Sequence, residues 1–262
     1  MTASRMRAAS ALLACIALLG GCDDSRVTEA GDDELRAPVH LDTAALRSVL
    51  AAALPDAARA SLRPAAAASL HELRNGTEVA YVTADGAYLI RGDIIRLEDQ
   101  VNLTELVRQS ARRELLAAVD PADTLLFAPA GETRHELTVL TDLDCSFCRK
   151  LHADIGNLNA RGIAVRYVPF PRAGIDSESG RKAAAAWCAA DRAAAVNSGM
   201  EGVDLASSPA SQACEAMIQR GIDFGHAMGL QGTPLLVLPD GSTITGYLKP
   251  AALARRLEAA SG

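Results

Sequence analysis

The sequence predicts an α/β protein with a smaller α+β region ahead of it, and three observations carry that reading. An apolar run, Thr138-Val139-Leu140, passes through Thr141-Asp142-Leu143-Asp144 into Cys145-Ser146-Phe147-Cys148, two cysteines that open a helix. From about Leu125 onward, strand-like and helix-like stretches alternate. Between about residues 38 and 100 the pattern is different, a single amphipathic helix followed by hairpin-like segments.

The chain has 262 residues, enough for two modest domains, and its 49% hydrophobic and 22% charged content is that of an ordinary globular protein. Aromatic content is only 3%, against abundant Ala and Leu, which favours helix-rich cores built from small side chains. A formal charge of −6 without any long basic run gives no electrostatic reason to expect nucleic acid as a partner.

Residues 1–21 read as a signal peptide. Arg5 and Arg7 precede an apolar stretch from Ala8 to Leu19 that is too short for a durable membrane span. The stretch ends Leu18-Leu19-Gly20-Gly21-Cys22, which resembles the bacterial lipobox and implies cleavage before Cys22 and its acylation. An ordinary signal peptide, with Cys22 left as a free thiol, is the alternative. Loss of Arg5 and Arg7 takes the charge from −6 to −8. By resemblance to the lipoprotein sorting rule of enterobacteria, Asp23 implies retention at the inner membrane, so the expected location is periplasmic and lipid-anchored. Residues 22–37, acidic and without apolar periodicity, read as a solvated tether.

Residues 38–100 form the expected N-terminal domain. From His40 to about Leu62, the positions Leu41, Ala44, Ala45, Leu46, Val49, Leu50, Ala53 and Leu54 recur at helical spacing and meet Pro55, with Asp42 or Thr43 near the helix start. Glu78–Thr83 and Ala87–Ile90 flank Asp85-Gly86, a hairpin signal, and Ile94, Ile95 and Leu97 add a further strand-like piece. A region this small buries little core by itself, so pairing with a second copy is a plausible remedy. Packing on its own partner domain is the alternative. Residues 101–121 hold a connecting helix, Leu103–Leu116, ended near Asp120-Pro121.

Residues 122–262 are the expected catalytic domain. A strand at Leu125–Phe127 precedes the strand into the cysteines and a helix reaching about Asn159, and Ile163–Phe170 then forms a parallel central strand. Two Ala-rich helices follow, about 180–198 and 210–228, and then strands around Leu235 and Ile244 and a terminal helix from Pro250. With a Cys-x-x-Cys beside a βαβ unit, this is a thioredoxin-like α/β domain.

Two residues between cysteines at a helix start allow a disulfide across one turn. They also place the first thiol where unpaired backbone N–H groups and the positive end of the helix dipole stabilise a thiolate. A zinc site would need a second ligand pair, which Cys188, Cys214 and the five scattered histidines do not supply. Haem attachment would need His where Arg149 stands. No metal and no cofactor are expected beyond a redox-active Cys145–Cys148 pair. With Cys15 in the signal and Cys22 assigned to lipid, four cysteines remain. Of the three possible connectivities, spacing favours Cys145–Cys148 and Cys188–Cys214, the latter a structural bridge worth roughly 2 to 4 kcal/mol. A labile regulatory bridge is its rival. His152 reads as packing or solvent-facing rather than as a catalytic base, Asp142 and Asp144 as solvated acids with tuning of the thiol as the alternative, and Trp187 as core.

Thr141–His152, Val165–Arg172, Ala186–Ala189 and Gly229–Pro234 together carry a resemblance to the family of periplasmic disulfide isomerases DsbC and DsbG, extending from about Pro38 to the end. The resemblance implies a cystatin-like dimerisation domain, a linker helix and a thioredoxin-like domain with a helical insertion, two copies making a V. It implies a cis peptide at Thr233-Pro234, opposite the cysteines in a substrate-binding loop. The partners it implies are exported proteins with non-native disulfides and a membrane thiol reductant of the DsbD kind. The chain departs from the family in having Ser146-Phe147 between the cysteines, where DsbC has Gly-Tyr, and in its lipid anchor. A dithiol oxidase or reductase of the same fold and a chaperone-like binding module are the competing functions.

Overall fold

In the computed structural model, residues 40–55, 59–67, 69–205 and 211–261 are described. The expected signal segment, Cys22 and the tether lie outside them. Among the described residues no helix is long and apolar enough to cross a membrane.

Helix α1 (Thr43–Ala53) starts where the Asp42 carboxylate accepts a hydrogen bond from the Ala45 N–H at 2.8 Å. Leu46 and Leu50, one turn apart, face a small core with Leu62, Leu73 and Val82. The apolar periodicity ends at Pro55, and the helix does not reach Leu62. Ser61–Pro64 is instead strand β1, antiparallel to β2 (Leu70–Asn75). The sequence reading missed this pair because β2 carries His71, Glu72 and Arg74, and its strand character comes from having partners on both sides. Strand β3 (Glu78–Thr83) pairs with β2 and, through a hairpin, with β4 (Leu89–Ile90). Gly86 takes φ +73° in that turn, and the Asp85 carboxylate meets the Thr83 hydroxyl and the Ala87 N–H. A two-stranded ribbon, β5 (Ile95–Arg96) with β6 (Val101–Asn102), completes the region.

Helix α2 (Leu103–Ala117) is capped by Asn102, which accepts from the Glu105 N–H. It touches the elements on both sides of it. Thr104 bonds the Tyr81 hydroxyl at 2.5 Å. Arg112 donates to Glu105 at 2.7 Å and to the Gly241 carbonyl at 3.2 Å, and Arg113 donates to the Asp240 carbonyl. Gly241, at φ +84°, lies so close to the Gln109 backbone that a side chain there would collide with it. The small region also touches the larger one directly, Thr77 donating to the Ala227 carbonyl at 2.8 Å.

The larger sheet has the order β11-β10-β8-β9-β7. Strands β8 (His135–Thr141) and β9 (Ile163–Pro169) are parallel at its centre, while β7 (Leu125–Phe127), β10 (Leu235–Val237) and β11 (Thr243–Thr245) run antiparallel to their neighbours. Between β8 and β9 the chain forms α3 (Ser146–Ala153) and α4 (Ile155–Asn159), not one continuous helix. The interruption falls at Asp154, whose carboxylate accepts from the Tyr247 hydroxyl at 2.6 Å and from Asn157.

The insertion between β9 and β10 holds α5 (Glu178–Trp187), α6 (Arg192–Met200) and α7 (Gln212–Ala227). The expected helix over 180–198 is therefore two. Asp191 caps α6 by accepting from the Ala194 N–H at 2.9 Å, which turns the chain where uniform Ala content gave no signal. Helix α7 lies against the end of β9 at Gly221, where a Cβ would run into the Pro169 carbonyl. Helix α8 (Pro250–Ala260) closes the fold, burying Leu253 and Leu257.

Candidate active site

Strand β8 delivers its last residues to the start of α3, and β10 pairs with it antiparallel at Leu235↔Leu140. Continuing that register brings Thr233-Pro234 beside Thr141-Asp142. Two stretches distant in sequence therefore meet at the cysteines. The Thr233-Pro234 peptide is cis.

Cys145 is the N-cap of α3, with extended backbone, and its N–H donates to the Asp142 carbonyl at 3.1 Å. Its thiol is buried and donates to the Thr233 carbonyl at 3.3 Å. Burial by itself would raise this thiol. The Thr233 side chain, the Cys148 N–H and thiol, and the Phe147 N–H outweigh burial and hold Cys145 below its ordinary value. Cys148, one turn on and fully buried, behaves oppositely: burial pushes it up to about 12, and the nearby Cys145 sulfur adds to that. The hydroxyls of Thr141 and Thr233 are buried without a hydrogen-bond partner, and each faces a cysteine, Thr141 toward Cys148 and Thr233 toward Cys145. A thiol accepts hydrogen bonds poorly and a thiolate accepts them well, so the Thr233 hydroxyl finds a partner when Cys145 ionises. Between the cysteines, Phe147 is 56% exposed.

Asp142 is not a solvated acid. It is 3% exposed, and its carboxylate accepts from the Asp144 N–H, the Arg172 N–H and Nε, and the Ser179 hydroxyl, all within 3.0 Å. Burial opposes its charge, but the Arg172 guanidinium and the remaining donors hold its carboxyl below the usual carboxylate range. Arg172, 49% exposed at its side chain, also reaches the Asp144 carbonyl, one residue before Cys145. This cluster ties the turn before Cys145 to the segment after β9. The only sequence signal for it was an Asp directly after a buried strand. Asp144 sits in partial exposure between Arg149 and Lys182.

His152 is half-buried behind Cys148. Its Nδ1 lies 3.3 Å from the Tyr167 hydroxyl, and its ring meets Phe127 edge-on at 5.5 Å. Trp187 is buried in the core. Cys188 and Cys214 are joined in a disulfide between the end of α5 and the start of α7, with Cα atoms 5.9 Å apart. Among the described residues no group of three or more His, Cys, Asp or Glu is placed to hold a metal ion.

A dithiol at the head of a helix, set against a cis-proline loop at one end of a central β-sheet with helices packed on it, defines a thiol–disulfide oxidoreductase of the thioredoxin fold. Residues 128–261 match the thioredoxin-like domain family, and residues 37–105 match the disulfide bond isomerase protein N-terminal domain. The thiol:disulfide interchange protein DsbC of Dickeya dadantii is 36% identical over 183 residues, covering 69% of this chain and 73% of that protein. Its namesake in Escherichia coli K12 is 35% identical over 193 residues, covering 72% and 77% respectively. That of Salmonella typhimurium is 33% identical over 213 residues, covering 80% and 85%. The chain belongs to the DsbC family of thiol:disulfide interchange proteins.

Proposed function

We propose that this protein reshuffles wrong disulfides in exported proteins, with Cys145 as the attacking sulfur and Cys148 as the resolving one. What supports the assignment is the asymmetry of the pair: one thiol is held down at a helix start and the other is pushed up by burial. As thiolate, Cys145 attacks one sulfur of a substrate disulfide, forming a mixed disulfide and freeing the other sulfur as a substrate thiolate. That thiolate attacks elsewhere in the substrate and eventually displaces Cys145 unchanged. Alternatively, Cys148 attacks Cys145, so the substrate leaves reduced and the enzyme is left with a Cys145–Cys148 disulfide. A membrane thiol reductant of the DsbD kind then restores the dithiol. Thr233 and Pro234 form the substrate-binding wall facing Cys145, and Cys188–Cys214 ties the helical insertion together as a structural bridge. No cofactor enters these steps, whose electrons come from the thiols themselves. Limited iodoacetamide labelling at pH 7 with peptide mapping is expected to modify Cys145 faster than Cys148 by about tenfold or more. Equal rates would remove the assignment.

The protein works as a homodimer in this reading. Strand β4 is a sheet edge, and Leu89 and Ile90 on it, with Tyr88 just before it and Ile95 and Leu97 a few residues on, are apolar and exposed. An edge of this kind suits a second copy of the same domain. Light scattering is expected to give twice the chain mass for the wild type and the single mass for Ile90→Arg, whereas a monomeric wild type would refute the dimer. Export to the periplasm and acylation at Cys22 complete the proposal, resting on the apolar run and on Leu18–Cys22. Metabolic labelling with a fatty acid is expected to mark the wild type and not Cys22→Ser; an unlabelled wild type excludes the anchor.

A further inference from the structure

The turn between β8 and α3 carries two carboxylates, Asp142 and Asp144, directly ahead of Cys145, and the carbonyls of Asp142, Leu143 and Asp144 lie beside them. Negative charge and carbonyl oxygens next to a sulfur favour the thiol over the thiolate, the opposite of what a helix start does. The turn engages these carbonyls one by one. The Asp142 carbonyl accepts from the Cys145 N–H at 3.1 Å. The Leu143 carbonyl accepts from Arg149 Nε at 2.8 Å, and the Asp144 carbonyl from Arg172 Nη2 at 3.4 Å.

The same two arginines take the carboxylates. Arg172 Nε donates to Asp142 at 2.9 Å, and Arg149 Nη2 lies 3.4 Å from Asp144. Each guanidinium therefore joins one carboxylate and one carbonyl of the turn, Arg149 reaching back from α3 and Arg172 reaching across from the segment after β9. Lys182 of α5 also meets Asp144, at 3.3 Å, but shares its charge with Glu178 at 2.8 Å. The charged form of Arg172 is favoured by Asp142 first and, further down, by the Cys145 and Cys148 sulfurs themselves. The other surroundings of the two sulfurs bring little charge. The loop Gly229–Pro234 has no charged side chain, and His152 and Tyr167 behind Cys148 are kept neutral by burial.

We infer that Arg149 and Arg172 are positioning residues for Cys145, holding the turn in front of it from two sides and cancelling the two carboxylates that the turn carries. This rests on the assignment of Cys145 as the attacking sulfur made above. Both arginines act through the turn. Loss of either one leaves a carboxylate short of its partner and frees a carbonyl of the turn, and both changes disfavour a thiolate at Cys145. The two losses differ in size. Asp142 is buried and depends on Arg172 for its ion pair, whereas Asp144 is partly exposed and keeps Lys182 when Arg149 is gone. Arg149 directly follows Cys148, so the Cys-Ser-Phe-Cys-Arg stretch carries one half of this brace within itself.

The pH profile of Cys145 alkylation by iodoacetamide in the reduced full-length protein, read by peptide mapping, tests this. Arg149→Gln is expected to move the midpoint of that profile up by about 0.5 to 1 in pH, because an unpaired carboxylate then stands beside the sulfur. Arg149→Lys, which keeps the charge, is expected to stay nearer the wild type than Arg149→Gln does. Adding Asp144→Asn to Arg149→Gln is expected to bring the midpoint back to within about 0.3 of the wild type, since the carboxylate left without its partner is removed as well. A residue that only stabilises the fold would not give this recovery. Arg172→Gln is expected to move the midpoint further than Arg149→Gln; if it fails to fold, the Arg149 series carries the test. An Arg149→Gln profile that superimposes on the wild type, or a double variant no closer to the wild type than Arg149→Gln alone, overturns the inference. A wild type in which Cys145 is labelled no faster than Cys148 instead removes the assignment of the attacking sulfur, and this inference with it.

Discussion

Cys145→Ala is expected to lose all reactivation of a scrambled multi-disulfide substrate above the background of free thiols, and to form no covalent adduct with it. Cys148→Ser, by contrast, is expected to accumulate the mixed disulfide, because attack survives and intramolecular resolution does not. The loss in Cys145→Ala is chemical rather than structural. The sulfur makes one side-chain hydrogen bond, to the Thr233 carbonyl, so the substitution costs about 1 kcal/mol of stability. A denaturation curve close to that of the wild type separates the two effects. Undiminished reactivation by Cys145→Ala would mean that the protein assists folding by binding alone, and the thiol mechanism would be wrong.

Asp142→Asn is expected to produce the largest loss of stability of any single change near the site, about 2 to 4 kcal/mol. The carboxylate satisfies four donors at once, and an amide presents one acceptor oxygen and turns an NH₂ toward groups that are themselves donors. The effect depends on pH in a definite direction. Asp142 has a folded value below that of the unfolded chain, so its stabilisation is fully present above the unfolded carboxylate value, near pH 4. It is lost as pH falls through the lower, folded value. Urea denaturation from about pH 7 down to about pH 2 is expected to show the stabilities of the wild type and of the Asp142→Asn variant converging at the acid end. A constant gap across that range would show that the charge of Asp142 is not what stabilises the turn.

Much of the site was legible because it is local. Cys145 and Cys148 lie three residues apart at a strand-to-helix junction, and the Asp85-Gly86 hairpin has its strands on either side. The boundaries that went astray are those where the local signal was weak. Ser61–Pro64 and Leu70–Asn75 have ordinary polar content and become strands by pairing with each other and with β3. The Ala-rich stretch after Ser177 has a helical composition throughout, and only the Asp191 cap breaks it.

By itself the sequence determined which sulfur stands at a helix start and that strands and helices alternate around it, since each depends on neighbours within a few residues. What the tertiary structure decided are the properties that come from distant contacts. Asp142 is a buried anion because Arg172 and Ser179 come to it from beyond β9. Cys148 is pushed up and Cys145 held down because burial and the Thr233 loop act on sulfurs only three residues apart. His152 meets Tyr167 because α3 packs over β9. The charge state of a group depends on what surrounds it in space, and a linear sequence lists only what adjoins it along the chain.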